Sequence, residues 1–217
     1  MTPEQASSWI LRKCSNAPVI TTLTVNGLEG IEQLGQALVD AGLPIIEVLL
    51  RTEFALDAIS ALSSLPGCEV AAGSVLSSQQ LHDAKACGAR FAVSPGATTA
   101  LLEASTQSGM PLLPGAATAS EVMRLTEHGY RFLKFFPAAA IGGAAALRAL
   151  AGPFPRVLFC PTGGIDAATF EQYLLLDNVA AVGGSWLVGD RVMQERRWAE
   201  VEDAARKVAM RCAELRC

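Results

Sequence analysis

Eight short apolar runs, spaced evenly along the chain, constrain its fold more than any other feature. They occupy 18–23, 44–50, 69–72, 89–93, 110–113, 130–135, 156–160 and 179–182. Each has the length of a strand and is bounded by Gly, Pro or Ser. Their starts fall about 20–26 residues apart, room for one helix and two short loops. Strands that far apart in sequence need a crossover connection, which makes neighbours parallel. Parallel strands covered on both faces read as continuous apolar runs, as these do.

The intervening segments carry helical spacing. Ile31, Leu34 and Leu38 precede a glycine stop at Gly42. Leu56, Ile59, Leu62 and Leu65 follow Thr52-Glu53. Thr118 and Glu121 have capping-box spacing, and Thr2-Pro3-Glu4-Gln5 opens a helix ahead of the first strand. Trp198, Val201, Ala205, Val208, Cys212 and Leu215 give an amphipathic closing helix. The pattern predicts an α/β fold: a single-domain (β/α)8 TIM barrel over 1–217, with an extra N-terminal helix. A doubly wound open sheet is the rival. It usually has fewer strands, and no GxGxxG turn follows the first run.

Composition excludes several functions. Hydrophobic residues make up 51% of the 217 and charged residues 18%, too apolar for a disordered chain. No apolar stretch reaches the roughly 18 residues that span a bilayer, and the richest, 138–151, is broken by Gly142, Gly143 and Arg148. MTPEQASSWI has neither a basic leader nor an apolar signal core, so a cytoplasmic protein is expected. A net charge of −4 without basic clusters argues against nucleic-acid partners. Cys14, Cys68, Cys87, Cys160, Cys212 and Cys217 form no CxxC pair and read as reduced thiols. The two histidines, His82 and His128, stand far apart, so no histidine-ligated metal site is expected.

Active sites of such barrels gather at the C-terminal ends of the strands. Lys134 lies near the end of the sixth run, in Arg131-Phe132-Leu133-Lys134-Phe135-Phe136. The other lysines, Lys13, Lys85 and Lys207, sit on predicted helices. A lysine among aromatics is disfavoured in its charged form, and a neutral amine can attack a ketone to form a Schiff base. The plain alternative is a lysine that snorkels or pairs with a carboxylate. Glu47 stands inside the second run, where an acid is costly unless paired or used. Strand alternation puts Glu47, Leu49 and Arg51 on one face. That predicts either a buried Glu–Arg pair, or an acid/base group beside a carboxylate clamp. Gly163-Gly164 after run seven and Gly183-Gly184-Ser185 after run eight fit a phosphate site, since glycines let backbone N–H groups approach an anion.

With these residues in place, the sequence resembles the 2-keto-3-deoxy-6-phosphogluconate (KDPG) aldolase / 4-hydroxy-2-oxoglutarate aldolase family. The resemblance runs nearly end to end. It is carried by Glu47-Val48-Leu49-Leu50-Arg51-Thr52-Glu53, Ala72-Gly73-Ser74-Val75-Leu76, Phe91-Ala92-Val93-Ser94-Pro95-Gly96, Lys134-Phe135-Phe136-Pro137-Ala138, Gly152-Pro153-Phe154, Phe159-Cys160-Pro161-Thr162-Gly163-Gly164 and Gly183-Gly184-Ser185-Trp186. It implies a homotrimer of barrels without metal or organic cofactor, acting on a small phosphorylated keto acid. It implies Lys134 as the Schiff-base lysine and Glu47 as the proton shuttle. The resemblance also implies that Arg51 and Ser74 hold the pyruvate carboxylate, that Pro95 lines that pocket and that Thr162 lines the substrate pocket. By the same resemblance, Gly163, Gly164 and Ser185 are expected to hold the phosphate.

The chain departs from the family's usual Thr at Leu49, Thr at Ser74 and Gly at Ala71. It also departs from PGIST at Pro114-Gly115-Ala116-Ala117-Thr118, and from polar residues near Ala139 and Ile141. These departures bear on substrate preference and rate. Three other readings stay open: the 6-phosphogalactonate version of the same cleavage, a non-catalytic phosphosugar-binding barrel, and a metal-dependent aldolase.

Overall fold

The computed structural model describes residues 1–215, apart from the side chain of Asp190; Cys217 lies outside the described residues. The expected strands are present with shifted edges: β1 (Val19–Leu23), β2 (Ile45–Leu49), β3 (Glu69–Gly73), β4 (Phe91–Val93), β5 (Leu112–Leu113), β6 (Gly115–Ala116), β7 (Phe132–Phe135), β8 (Leu158–Pro161) and β9 (Val182–Gly184). All recorded pairings are parallel. One sheet runs β5-β4-β3-β2-β1-β9, and a second runs β6-β7-β8. The fold is thus α/β, with a parallel sheet curled around a shared interior.

Two expectations are corrected here. The fifth run does not stop at Leu113: the chain continues through Pro114 and pairs again as β6. Proline brings no N–H, so the segment breaks into two short strands, yet the Pro114 carbonyl still accepts from Lys134 N at 2.9 Å. Gly183 and Gly184, expected in a loop after the eighth run, belong to β9. Val179 only bridges to Phe159.

Strand alternation sorts the core into two layers. The inner layer includes Ile20, Ile45, Ala71, Phe91, Val93, Leu113, Phe132 and Cys160. Helix α1 (Pro3–Cys14) adds Ile10 and Cys14 to it and so plugs the N-terminal end of the strands. Ser7 Oγ accepts from the backbone of Arg131 (3.0 Å) and Phe132 (3.3 Å), fastening that plug to the edge of β7. The outer layer lies between strands and surrounding helices, with Leu34 and Leu38 of α2 (Ile31–Asp40) and Val201 and Ala205 of α10 (Trp198–Leu215).

Helix starts follow local chemistry. Thr2 and Gln5 form the capping box of α1. Thr118 and Glu121 do the same for α6 (Ala119–Glu127), where Glu121 accepts from the N–H groups of Ala117 and Thr118 at 2.8 and 2.9 Å. Those N–H groups, that of Ala117 foremost, hold its carboxyl below the ordinary range. By contrast α3 (Ala55–Ser63) begins after Phe54 without a side-chain cap. None of the described helices is long and apolar enough to cross a membrane.

Candidate active site

The strand ends opposite α1 carry the polar groups. Lys134, on β7, has Gly115 on one side and Cys160 on the other in the strand register. Glu47, on β2, lies between Thr22 and Ala71. Both point into the interior and meet: Lys134 Nζ donates to Glu47 Oε1 at 3.0 Å, with side-chain exposures of 5% and 2%. The Phe136 ring lies 5.5 Å from Nζ. Glu47 therefore pairs with Lys134, and of the two readings of the Glu47–Arg51 face the buried Glu47–Arg51 pair is not formed. Removing one member of a buried pair strands the other charge, so the two groups depend on each other.

The packing beneath the pair is tight. A Cβ at Gly73 would stand 2.3 Å from Glu47 Oε1 and 2.6 Å from Leu49 Cδ2, so β3 leaves the carboxylate room only by carrying glycine there. Gly115 is pressed the same way, by the backbone of Pro95 at 2.2 Å. Cys160 is fully buried below the amine. Burial pushes its thiol up to about 12, against the pull of the Lys134 charge, so the sulfur stays protonated and does not compete as a nucleophile.

Arg51, exposed just past β2, donates through Nε to Ser74 Oγ at 3.0 Å. Ser74 holds a left-handed backbone (φ 55°), unusual for a non-glycine residue and characteristic of functional turns. A cavity of about 200 Å³ opens above the pair. Lys134, Arg51, Thr162, Gly163, Gly164 and Ser185 line it, together with Thr22, Thr24, Leu49, Phe136, Ile165 and Gly184. Gly163 and Gly164 have φ of 99° and 73°, a backbone that favours glycine. Gly183 leaves room for the Thr162 hydroxyl, which would approach a Cβ there to 2.5 Å.

Of the residues singled out in the sequence, Lys134, Arg51, Thr162, Gly163, Gly164 and Ser185 thus share one cavity. Glu47 reaches it through Lys134, and Ser74 through Arg51. Pro95 is half-buried and does not line it. Among the described residues, no cluster of His, Cys, Asp and Glu could hold a metal ion. No disulfide links Cys14, Cys68, Cys87, Cys160 or Cys212. Sequence reasoning missed Thr22, Gly73 and the Lys134–Glu47 pairing. The pairing had a signal: two lone opposite charges in inward-facing apolar runs have to find each other.

A buried lysine–carboxylate pair under a rim that carries a guanidinium, hydroxyls and glycine backbone suits carbonyl chemistry. The comparisons with known proteins decide which family uses it here. The family model for KDPG and KHG aldolase matches residues 10–204. The chain belongs to that family. It is therefore an aldolase, a carbon–carbon lyase of the lysine-dependent class I type. The KHG/KDPG aldolase of Escherichia coli K12 is 44% identical over 194 residues, covering 89% of this chain and 91% of that protein. The 2-dehydro-3-deoxy-phosphogluconate aldolase of Pseudomonas aeruginosa PAO1 is 41% identical over 98% of this chain and 97% of its own. A crystal structure of the Legionella pneumophila KDPG aldolase, with pyruvate captured as a covalent carbinolamine, superposes with a TM-score of 0.88. It is 41% identical and covers 96% of this chain and 98% of its own.

Proposed function

We propose that this KDPG/KHG-family aldolase cleaves 2-dehydro-3-deoxy-6-phosphogluconate to pyruvate and glyceraldehyde 3-phosphate, with 4-hydroxy-2-oxoglutarate as a second substrate giving pyruvate and glyoxylate. The observation that carries the reading is the buried Lys134–Glu47 contact at 3.0 Å, opening into a cavity with a guanidinium on one side and the Gly163-Gly164 turn and the glycine end of β9 on another.

A proton passing from Nζ to Oε1 leaves Lys134 with a free lone pair. The amine adds to the C2 ketone, and the protonated Glu47 hands its proton to the carbinolamine hydroxyl, which leaves as water, so that an iminium and the Glu47 carboxylate remain. Arg51 and Ser74 hold the carboxylate at C1, with Pro95 at the edge of that pocket. Glu47 takes the C4 hydroxyl proton through a water, the C3–C4 bond breaks, and its electrons flow into the iminium as an enamine. The aldehyde leaves. Glu47 returns the proton to C3, and water then releases pyruvate and restores the amine. Thr162 lines the path, while backbone N–H groups at Gly163 and Gly164 and the Ser185 hydroxyl hold the phosphate.

The same reading takes the chain as one domain, a closed (β/α)8 barrel. Support for closure is that β5 and β6, two halves of one segment, pair with β4 and β7, while Phe159–Val179 and Thr162–Gly183 bridges link β8 to β9. The homotrimer and the cytoplasmic setting rest on the family resemblance and the sequence. Incubation with synthetic KDPG tests the activity: pyruvate should accumulate, undiminished by a chelator. No release of pyruvate, or release abolished by chelation, contradicts the reading.

A further inference from the structure

Three hydroxyls in the cavity wall, those of Thr22, Thr24 and Ser185, make no side-chain hydrogen bond among the described residues, and of these three residues Thr22 alone is buried. Thr22 is 6% exposed, sits on the interior face of β1 and lines the cavity beside Lys134. Its strand neighbour is Glu47 on β2. On its other side, β9 pairs with β1 and carries Gly183 and Gly184, ahead of Ser185. Thr22 therefore stands between the proton acceptor and the phosphate turn. Among the described residues no hydrogen-bond partner is recorded for its hydroxyl. Thr162, by comparison, already donates to the Cys160 carbonyl at 3.4 Å. Leu49, two residues beyond Glu47 on the same face, contributes only hydrocarbon to this wall, and Gly184 contributes no side chain. A hydroxyl can both donate and accept, and a buried one left unpaired costs free energy until a ligand meets it.

A substrate with its ketone at Lys134 and its phosphate at Ser185 must pass its C5 carbon across this stretch of wall. We propose that Thr22 is a specificity-determining residue that hydrogen-bonds the C5 hydroxyl, the 2-hydroxyl of the aldehyde product. The inference rests on the proposed function, and it places the reading of that hydroxyl in β1 instead of in the glycine turns. A site built to pair a substrate hydroxyl discriminates against the analogue that lacks it.

The reaction run as aldol addition isolates this contact. Pyruvate is offered with glyceraldehyde 3-phosphate or with 3-oxopropyl phosphate, which has the same phosphate and no 2-hydroxyl. The wild-type protein should favour the hydroxylated aldehyde in kcat/KM by about tenfold or more, the scale of one lost hydrogen bond. Thr22→Val, close in shape, should reduce that preference to within about twofold, and Thr22→Ser should keep most of it. Circular dichroism melts and the borohydride adduct with pyruvate show whether each variant is folded with its lysine reactive, and Thr22→Ala replaces the valine variant if that fails. An undiminished preference in Thr22→Val or Thr22→Ala overturns the inference, as does a wild-type protein that treats the two aldehydes alike. Failure of the underlying reading looks different: the wild-type protein then makes no aldol product with either aldehyde.

Discussion

Among the described residues, two lysine–glutamate pairs stand at opposite ends of the strands. Lys13 of α1 meets Glu69 of β3 at 2.6 Å with side chains 32% and 21% exposed, and Arg90 stands 3.8 Å from the same carboxylate. Lys134 meets Glu47 at 3.0 Å with almost no exposure. Both pairs join the same functional groups. At the N-terminal end water and a second cation share the carboxylate, so the pair trims the seam between plug and sheet. At the C-terminal end burial and the Phe136 ring leave the two groups only each other and whatever enters the cavity. Surroundings, more than residue type, separate an ion pair that decorates from one that can react.

That contrast can be broken by mutation, beginning with the largest effect. Lys134→Ala should lower kcat/KM by several orders of magnitude, up to roughly a millionfold as in other nucleophile knockouts. Glu47→Gln should cost on the order of 10²–10⁴ in kcat, the range of a lost acid/base group. Gly73→Ala tests the room around the carboxylate. Its methyl must displace Glu47, so kcat should fall while urea melts show a loss of about 1–3 kcal/mol, as for other overpacked sites. At the other end, Lys13→Ala should change stability by no more than about 1 kcal/mol and leave turnover as it was.

The smallest effect is one of pH. The Glu121 carboxyl titrates below its ordinary 4.5 because Ala117 and Thr118 donate to it. Its stabilisation is complete above 4.5 and disappears as pH falls through the folded value. Melts of Glu121→Gln and wild type should therefore converge as the solution is acidified below 4.5. A difference that grows on acidification would contradict the capping account.

Much of this was legible in the sequence because period and burial leave marks. The eight apolar runs located the strands to within a few residues, and Lys134 and Glu47 stood out as lone charges inside them. What stayed hidden depends on distance through space. Lys134 and Glu47 are 87 residues apart, and only the curling of the strands around a shared interior brings them together. The share of Gly73 in the site is invisible until Glu47 lies across it, since a glycine after two alanines looks like any turn. Thr22 read as one more β-branched strand residue. Its place beside Glu47 comes from register, which a run of similar residues does not announce. The break at Pro114 was misplaced for a related reason: proline signals an ending, but here its carbonyl carries the ladder on to Lys134.

The central claim is that Lys134, paired with Glu47, forms the covalent bond to substrate. Treating the protein with pyruvate and borohydride, then sequencing its peptides by mass spectrometry, addresses this directly. The account predicts one reduced pyruvate per chain, located on Lys134, and none on Lys13, Lys85 or Lys207. An adduct on another lysine, or equal labelling of Lys134→Ala, would contradict it.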